Sequence, residues 1–469
     1  MKTPPLLGPC LFLLVTASCA VGPDYRRPAA APTAPADWRW KAAEPRDAFP
    51  KGAWWNVFND DALARLETNA LANNQDLRAA VARVDQARAA ARLTRSQFFP
   101  ELSLDPAVSR QRVSGNEPIP FPIKLKPVYL DSFQVPLDLS YEVDLWGRVR
   151  RSFESARAQA QATAADCQNV LLTLTADVAV NYFLLRSLDS QIATLHRLVQ
   201  LRGDAARILN ARFAAGTIPE MDAAQAAADL AATKSELADT ARQRAETLDA
   251  LALLCGQPAS SFIVTERPLD ENPPLVPIGL PSSVLERRPD IAAAERALAA
   301  KNAQIGVARA AYFPVVRLTG QAGYLSGEAN NLFNMDSLTF SLGPSASLPV
   351  FTAGRTAAQV RQAEAVCREA LANYQQSALT AFKEVEDSLA QITFWNQQAD
   401  SQKEALASAR RVSELTQARS DAGVLTGLEY ISAQCLALQQ EKQTAALSAS
   451  RFAATVRLIK ALGGGWNEQ

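Results

Sequence analysis

Few residues in this chain could carry out chemistry. His196 is the sole histidine among 469 residues. No Ser-His-Asp arrangement can be built without it, and the usual His-containing metal sets are ruled out. No Gly-rich phosphate loop of the Walker or dinucleotide type occurs. Acids are common on helical faces, where a charged face reads as solvated surface. His196 falls in a heptad region and reads as a packing or surface residue. The residues point to a protein that is not an enzyme and needs no cofactor or metal.

Two features remain as candidate sites. The first is the thiol of Cys19, which follows Thr16-Ala-Ser at the end of an apolar run from Leu6 to Val15. That run is shorter than the roughly 20 residues of a membrane span, and beside small residues it reads as a signal peptide. The small residues before Cys19 resemble a bacterial lipobox, which implies cleavage of residues 1–18 and diacylglycerol on the Cys19 sulfur. An ordinary signal peptide with an incidental cysteine is the alternative. Acyl chains contribute roughly 0.8 kcal/mol per buried CH₂, so several together anchor stably. Ala20 follows the cysteine, which resembles the Gram-negative signal for the outer membrane. The second feature is a pair of carboxylates, Asp222 and Glu429, each the sixth residue past a glycine (Gly216 and Gly423).

That pairing belongs to a duplication. Asp144-Leu-Trp-Gly-Arg148 returns as Phe351-Thr-Ala-Gly-Arg355, Ala211-Arg-Phe-Ala-Ala-Gly216 as Ala418-Arg-Ser-Asp-Ala-Gly423, and Leu253-Leu-Cys-Gly256 as Lys460-Ala-Leu-Gly463. The offset of the glycines is 207 each time (354 − 147, 423 − 216, 463 − 256). Upstream, Asp76 matches Asp290 and Phe98-Phe-Pro100 matches Tyr312-Phe-Pro314, at an offset of 214 (290 − 76). Solenoid periods run about 20–50 residues, so each unit here is a large multi-element module.

The elements follow from periodicity. Residues 19–53, rich in Pro and Ala, read as an extended lipidated strap. A first repeat spans 54–256 and a second 257–469. Arg148 to Ala214 contains no proline and only one glycine, Gly203. Its heptad places Leu171, Val178, Leu185, Ile192 and Val199 at one position and Leu174, Leu188 and Leu195 at the other, a coiled-coil pattern. A helix of this length would span about 100 Å. Gly216-Thr-Ile-Pro219 breaks it, with Pro219 suited to the first turn of a helix returning to about Leu254. The second copy predicts a helix from about Thr356 to Asp421, a turn at Gly423 and a return to Ala461. Between the paired landmarks, Phe133, Val135, Leu137, Leu139 and Tyr141 alternate with polar residues, as do Leu338, Phe340, Leu342, Leu348 and Val350. Leu102 to Val113 and Val316 to Tyr324 are weaker partners. These predict two hairpins, over about 101–141 and 315–350, of the kind that can face lipid. Four strands cannot close a barrel alone.

Lys+Arg and Asp+Glu are balanced at 48 each, so no polybasic field suggests nucleic acid. No stretch besides the leader is expected to resemble a transmembrane helix. Cys167, Cys255, Cys367 and Cys435 show no C-x-x-C spacing. Cys255 lies 39 residues past Gly216 (255 − 216) and Cys435 lies 12 past Gly423 (435 − 423). Those heights differ by about 40 Å along helices, so the two cannot bridge, and free thiols are expected.

An ordered set of landmarks carries a family resemblance. They are Gly22-Pro-Asp-Tyr25, Trp54-Trp55 with Phe58, Asn74 with Asp76-Leu77, Phe98-Phe-Pro100, Tyr141-Glu-Val-Asp-Leu-Trp-Gly-Arg148, Arg287-Arg-Pro-Asp-Ile291 and Ala311-Tyr-Phe-Pro314. The chain resembles the TolC-type outer-membrane factors, in the lipoprotein subgroup of tripartite RND-type efflux systems. The resemblance implies a mainly α fold with a β-hairpin membrane region. It implies a homotrimer whose four strands per chain form a 12-stranded β-barrel, continued by a long α-helical barrel through the periplasm, with a mixed equatorial belt. It implies a passive exit duct for drugs and toxic compounds, with a periplasmic adaptor and an inner-membrane RND-type transporter as partners, and outer-membrane lipid around it. In that family an acidic ring closes the tunnel and the adaptor docks on the hairpin tips. Asp222 and Glu429 become candidates for the gate, and Gly216, Thr217, Gly423 and Val424 for the docking tips. Acids in a first helical turn also favour its N-terminal dipole, which is the plainer account of Asp222. At the ninth position past the glycine, where the family often has a second Asp, stand Gln225 and Ser432. A duct for secreted polypeptides or metal ions, and a pore-free coiled-coil lipoprotein, are the alternatives.

Overall fold

Glycine and proline set the boundaries of the fold, and long Ala- and Leu-rich runs fill the space between them. The computed structural model describes residues 20–28, 52–114, 127–269, 272–274 and 288–464. A 3-10 turn, Trp54–Phe58, leads into α1 (Asp61–Asn73) and α2 (Gln75–Ser96). Strands β1 (Glu101–Leu104), β2 (Ala107–Val113) and β3 (Val128–Val143) precede α3 (Arg148–Ala214) and α4 (Glu220–Leu254). The second half repeats the order with α5 (Pro289–Ala310), β4 (Val315–Ser326), β5 (Leu338–Ser347), α6 (Arg355–Asp421) and α7 (Gly427–Ala461). Helices α3 and α6 are both 67 residues long, and α4 and α7 are both 35, so the duplication is kept to the residue.

The chain forms two compact units, and each draws on both sequence repeats. Of the described residues, one contains 20–28, 85–114, 127–162 and 294–373; the other contains 52–84, 163–269, 272–274, 288–293 and 374–464. The first holds the sheet. Strand β3 pairs antiparallel with β4, β4 with β5, and both β1 and β2 lie on the other side of β3. Where four strands are expected, the first is cut in two at Asp105-Pro106. No residue is inserted, since Leu104 faces Leu137 and Ala107 faces Gln134. Proline has no N–H to give the ladder, and an edge strand tolerates that loss. Strand β5 ends at Ser347, short of Leu348 and Val350.

Alternation sorts the two faces. Leu137, Leu139 and Tyr141 share a face with their partners Ala322, Gly320 and Leu318, while Pro136, Asp138 and Ser140 face Gly323, Gln321 and Thr319. Many of the apolar residues stay open to the surroundings, including Leu102, Leu104, Val108, Phe340 and Leu342. A Cβ on Gly323 would collide with Val135 O and Pro136 Cα, so glycine lets the two central strands approach.

In the same unit the segment Ala20–Pro28 is clamped down. Val21 N donates to Trp146 O at 3.0 Å. The Tyr25 hydroxyl donates to Glu295 Oε1 at 2.6 Å, and Asn302 donates to Pro23 O at 3.1 Å. Gly22 crosses Gly306 of α5 so closely that a Cβ on Gly22 would lie 2.5 Å from Gly306 Cα. The Asp144–Arg148 landmark sits beside this clamp. Asp144 caps α3 by accepting from Val149 N and Arg150 N at 3.1 and 2.9 Å, and Arg148 forks onto Glu142 at 2.6 and 2.9 Å.

The second unit holds the main apolar core. Trp54, Phe58, Leu63 and Ala70 pack with Val178, Tyr182, Phe183 and Leu185 of α3, Leu251 of α4 and Phe452 of α7. The heptad residues Leu174, Val178, Leu185, Leu188 and Leu195 are buried, as expected of a seam, but Leu172, Ala176, Ala179 and Phe183 between them are buried too. Several partners therefore surround this part of α3. That explains a departure from expectation, for α3 contains a stretch as long and apolar as a membrane span, most of which the protein itself covers. His196 is exposed. The four described cysteines are free thiols, Cys167 and Cys255 buried and Cys367 and Cys435 half-buried.

The Arg-Pro-Asp landmark is an anchor. Arg288 donates to Asp290 at 3.1 and 2.7 Å and to the Ala461 carbonyl at 3.1 Å, and pairs with Glu384 at 2.7 Å. One buried guanidinium thereby ties together the start of α5, the body of α6 and the end of α7.

Candidate functional site

The candidate site lies where each long helix turns back. Helix α3 ends at Ala214, and Gly216 enters the left-handed region at φ +71°. Its N–H donates to Phe213 O at 2.8 Å, and Thr217 N donates to Arg212 O at 3.0 Å. At Gly423 φ is +72°, with Gly423 N on Ser420 O and Val424 N on Arg419 O, both at 2.9 Å. These are the two bonds of a glycine C-cap. The place a Cβ would take at either glycine is open, so the positive φ requires glycine, not a lack of room. Gly216, Thr217, Gly423 and Val424 are all exposed.

The returning helices start differently. Pro219 stands one position before α4, as its N-cap residue, and Glu220 and Asp222 fall in the first turn. Helix α7 opens with a reciprocal box at Thr426, whose N–H and hydroxyl donate to Glu429 Oε2 at 2.8 and 3.0 Å. The Glu429 carboxylate thus satisfies a helix terminus. The Thr-x-x-Glu spelling of that box is plain in the sequence.

Both candidate acids line one cleft of about 920 Å³. Asp229 and Arg202 join them, with Leu209, Leu425, Leu428 and Ile431 as apolar wall. Arg202, which interrupts the heptad, donates to Asp229 O at 2.9 Å and to Thr233 Oγ1 at 2.5 Å, bracing α3 against α4. The docking-tip residues are not part of the cleft lining. Further along, Arg197 of α3 and Arg410 of α6 both pair with Glu441 of α7, and Lys442 pairs with Glu236 of α4. The Arg197–Glu441 and Lys442–Glu236 pairs bridge the two helical hairpins beyond the cleft, while Arg410–Glu441 ties the second hairpin together.

A second polar network lies deeper in the same unit. Asp189 accepts from Arg186 at 3.1 Å, Arg244 at 2.6 Å and Arg267 N at 3.1 Å. It fastens α3, α4 and the segment after Gly256 to one carboxylate. Sequence reasoning missed it, because the partners are 55 and 78 positions away and share no motif. Cys19, the candidate lipidation site, lies outside the described residues. Among the described residues no group of His, Cys, Asp and Glu could hold a metal ion.

Among the described residues the chain is a duplicated pair of long helical hairpins with a small sheet whose two edges are open. The comparisons agree. Residues 66–257 and 280–464 match the Outer membrane efflux protein family. The chain is 36% identical to the pyoverdine export outer membrane protein OpmQ of Pseudomonas aeruginosa, over 99% of this chain and 97% of that protein. It is 34% identical to the toluene efflux pump outer membrane protein TtgI of Pseudomonas putida, over 98% of both. Among solved structures, the outer-membrane channel OprN superposes with TM-score 0.83 at 30% identity, covering 96% of this chain and all of that one. The Campylobacter jejuni CmeC outer membrane channel superposes with TM-score 0.82 at 27% identity, covering 96% and 95%. This chain belongs to the outer membrane efflux protein family, a family of transport proteins and not of enzymes.

Proposed function

We propose that the protein is the outer-membrane channel of a tripartite efflux pump, passing drugs and other toxic small molecules from periplasmic partners to the exterior. The observation that carries this reading is the sheet. It has one apolar face and two open edges, β1/β2 and β5, and so needs further strands to close. Three copies supply a 12-stranded barrel in the Gram-negative outer membrane, and the 67-residue helices, each about 100 Å long, supply a tunnel beyond it. The names of OpmQ and TtgI favour small-molecule export over polypeptide secretion. Energy comes from an inner-membrane RND-type transporter joined through a periplasmic adaptor, which docks on the tips at Gly216, Thr217, Gly423 and Val424.

Asp222 and Glu429 form the gate in this reading. Three copies bring six carboxylates toward one axis, where crowded negative charge attracts cations. Diacylglycerol on Cys19 anchors each chain. Support for the anchor comes from the residues just after it, since Ala20 and Val21 are held against Trp146 and Gly147, where strand β3 gives way to helix α3.

Electron microscopy of the detergent-extracted protein tests the reading, together with conductance after reconstitution. A three-fold tube well over about 100 Å long that conducts ions is expected. Monomers or filaments without conductance would leave a pore-free coiled-coil lipoprotein as the better account.

A further inference from the structure

The duplication extends to the register of the strand pairs. In the first hairpin Glu101 faces Ser140, and in the second Val315 faces Ser347. Those partners differ by 214 (315 − 101) and 207 (347 − 140), the two offsets read from the sequence. The seven-residue slip is therefore confined to the loop between the strands, and the hairpins themselves are in identical register.

The contact between hairpins is the informative one. Every β3·β4 partner pair has residue numbers adding to 459, from Phe133 with Ser326 to Val143 with Val316. The rule continues past the strands, because Trp146 stacks on Phe313 at 4.7 Å and these numbers also add to 459. Within one chain the first hairpin's second strand thus meets the second hairpin's first strand. The converse pair, β5 with β1/β2, has no partner within the chain, since both are sheet edges.

We propose that β5 of one copy pairs antiparallel with β1/β2 of the next in the register of the internal repeat, with partner numbers adding to 452. Carrying one partner forward by 207 and the other back by 214 takes the sum from 459 to 452. Ser341 then faces Gln111, Leu342 faces Arg110, and Ser345 faces Ala107 of the neighbouring copy. The inference rests on the trimeric barrel reading and adds its register.

Two further observations accord with this register. A one-residue slip turns every side chain to the wrong face, whereas this register sets Leu348 and Val350 opposite Leu104 and Leu102, apolar against apolar. It also supplies a cover for residues the single chain leaves open. Val350 is 93% exposed, Phe351 88% and Phe99 65%. In the proposed register Phe99 meets Ala353 of the neighbour as Phe313 meets Trp146 within the chain, and Phe351 lies beside Glu101.

Paired cysteine substitutions in the full-length protein test this. Directly opposite Cβ atoms lie about 4.5–5.5 Å apart, within disulfide reach, and diagonal ones about 7–8 Å. Oxidising Ser341→Cys with Gln111→Cys is expected to give a covalent trimer, as is Leu342→Cys with Arg110→Cys, which samples the other class of ladder pair. The single variants and the native chain, with its own thiols, give none. Ser341→Cys with Ser109→Cys, two residues out of register, stays uncrosslinked. Preferential crosslinking of the shifted pair overturns the register and leaves the trimer standing. Three-fold particles with no crosslink at any pair overturn the edge pairing alone. No crosslink from a protein that is monomeric by light scattering overturns the trimeric channel as well.

Discussion

The hydroxyl of Tyr182 donates to Asp60 Oδ2 at 2.6 Å, while the other oxygen of the same carboxylate caps α1 through Ala62 N and Leu63 N at 2.8 and 3.2 Å. One side chain thus starts a helix and pins it to α3. Arg186 lies over the Tyr182 ring, 4.8 Å from its centre, and leads into the Asp189 network. Burial and the Asp60 hydrogen bond push the Tyr182 hydroxyl up to about 12. Burial works to raise Asp60, but the Tyr182 and backbone hydrogen bonds outweigh it and lower its carboxyl below the ordinary 3.8.

Tyr182→Phe removes one hydrogen bond to a charged group and is expected to cost about 1.5–3 kcal/mol. Asp60→Ala loses the cap as well, worth a further ~1 kcal/mol. Because the Asp60 folded pKa is lowered, its contribution is present above pH 3.8 and is lost as pH falls through the folded value. Thermal melts followed by helical circular dichroism check the order. A Tyr182→Phe melt at or below that of Asp60→Ala would contradict it.

Glu67 makes a different prediction. It is fully buried in α1, and among the described residues neither carboxylate oxygen has a hydrogen-bond partner. Burial pushes its carboxyl from 4.5 up to about 9. Below pH 4.5 folded and unfolded chains are both protonated. Between 4.5 and 9 only the unfolded chain ionises, so stability falls by about 1.4 kcal/mol per pH unit, which is roughly 3 kcal/mol by pH 7. Glu67→Gln cannot titrate. Its melting temperature relative to the native chain should climb steadily from pH 5 to pH 9, and a flat difference would show that Glu67 ionises in the fold.

The contrast between these residues shows what the sequence exposes. The helices of α3, α4, α6 and α7 and their glycine turns were legible because local periodicity and a left-handed glycine determine them. The strand faces were legible through alternation, although Pro106 was not recognised as a break. The family landmarks were visible, but the reasons for them were not, because Arg288 bonds to residues on three helices and Tyr25 reaches 270 positions to Glu295. Glu67 sits in an ordinary amphipathic helix, and nothing local reveals that its face of α1 is sealed. Long-range side-chain pairing is what one sequence does not spell out.

The clamp on Ala20–Pro28 depends on glycine at the crossing. A Cβ on Gly306 would lie 2.8 Å from Arg151 Cγ and 2.9 Å from Val21 O. Gly306→Ala is therefore expected to lift the segment and free Tyr25 from Glu295, a carboxylate only 2% exposed. Hydrogen exchange by mass spectrometry should show at least tenfold faster exchange at Val21 N, whose partner is Trp146 O. Unchanged protection there would mean that α5 yields and the segment stays seated.

The candidate gate separates charge from helix capping. Glu429 caps α7 through Thr426, and a glutamine at this position still accepts the same hydrogen bond. Glu429→Gln therefore removes the charge and keeps the helix start, while Glu429→Ala removes both, at about 1 kcal/mol of helix stability. Asp222 lies in the first turn of α4, where Asp222→Asn loses a favourable dipole interaction of about 0.3–1 kcal/mol. If three copies gather these carboxylates around one axis, Asp222→Asn with Glu429→Gln should weaken cation selectivity and block by divalent cations in planar bilayers. The single variants should fall in between. If the acids serve only their helix ends, Glu429→Ala will lower thermal stability, and selectivity will not change in any of the variants. That pair of readings assigns each carboxylate to the pore or to its helix.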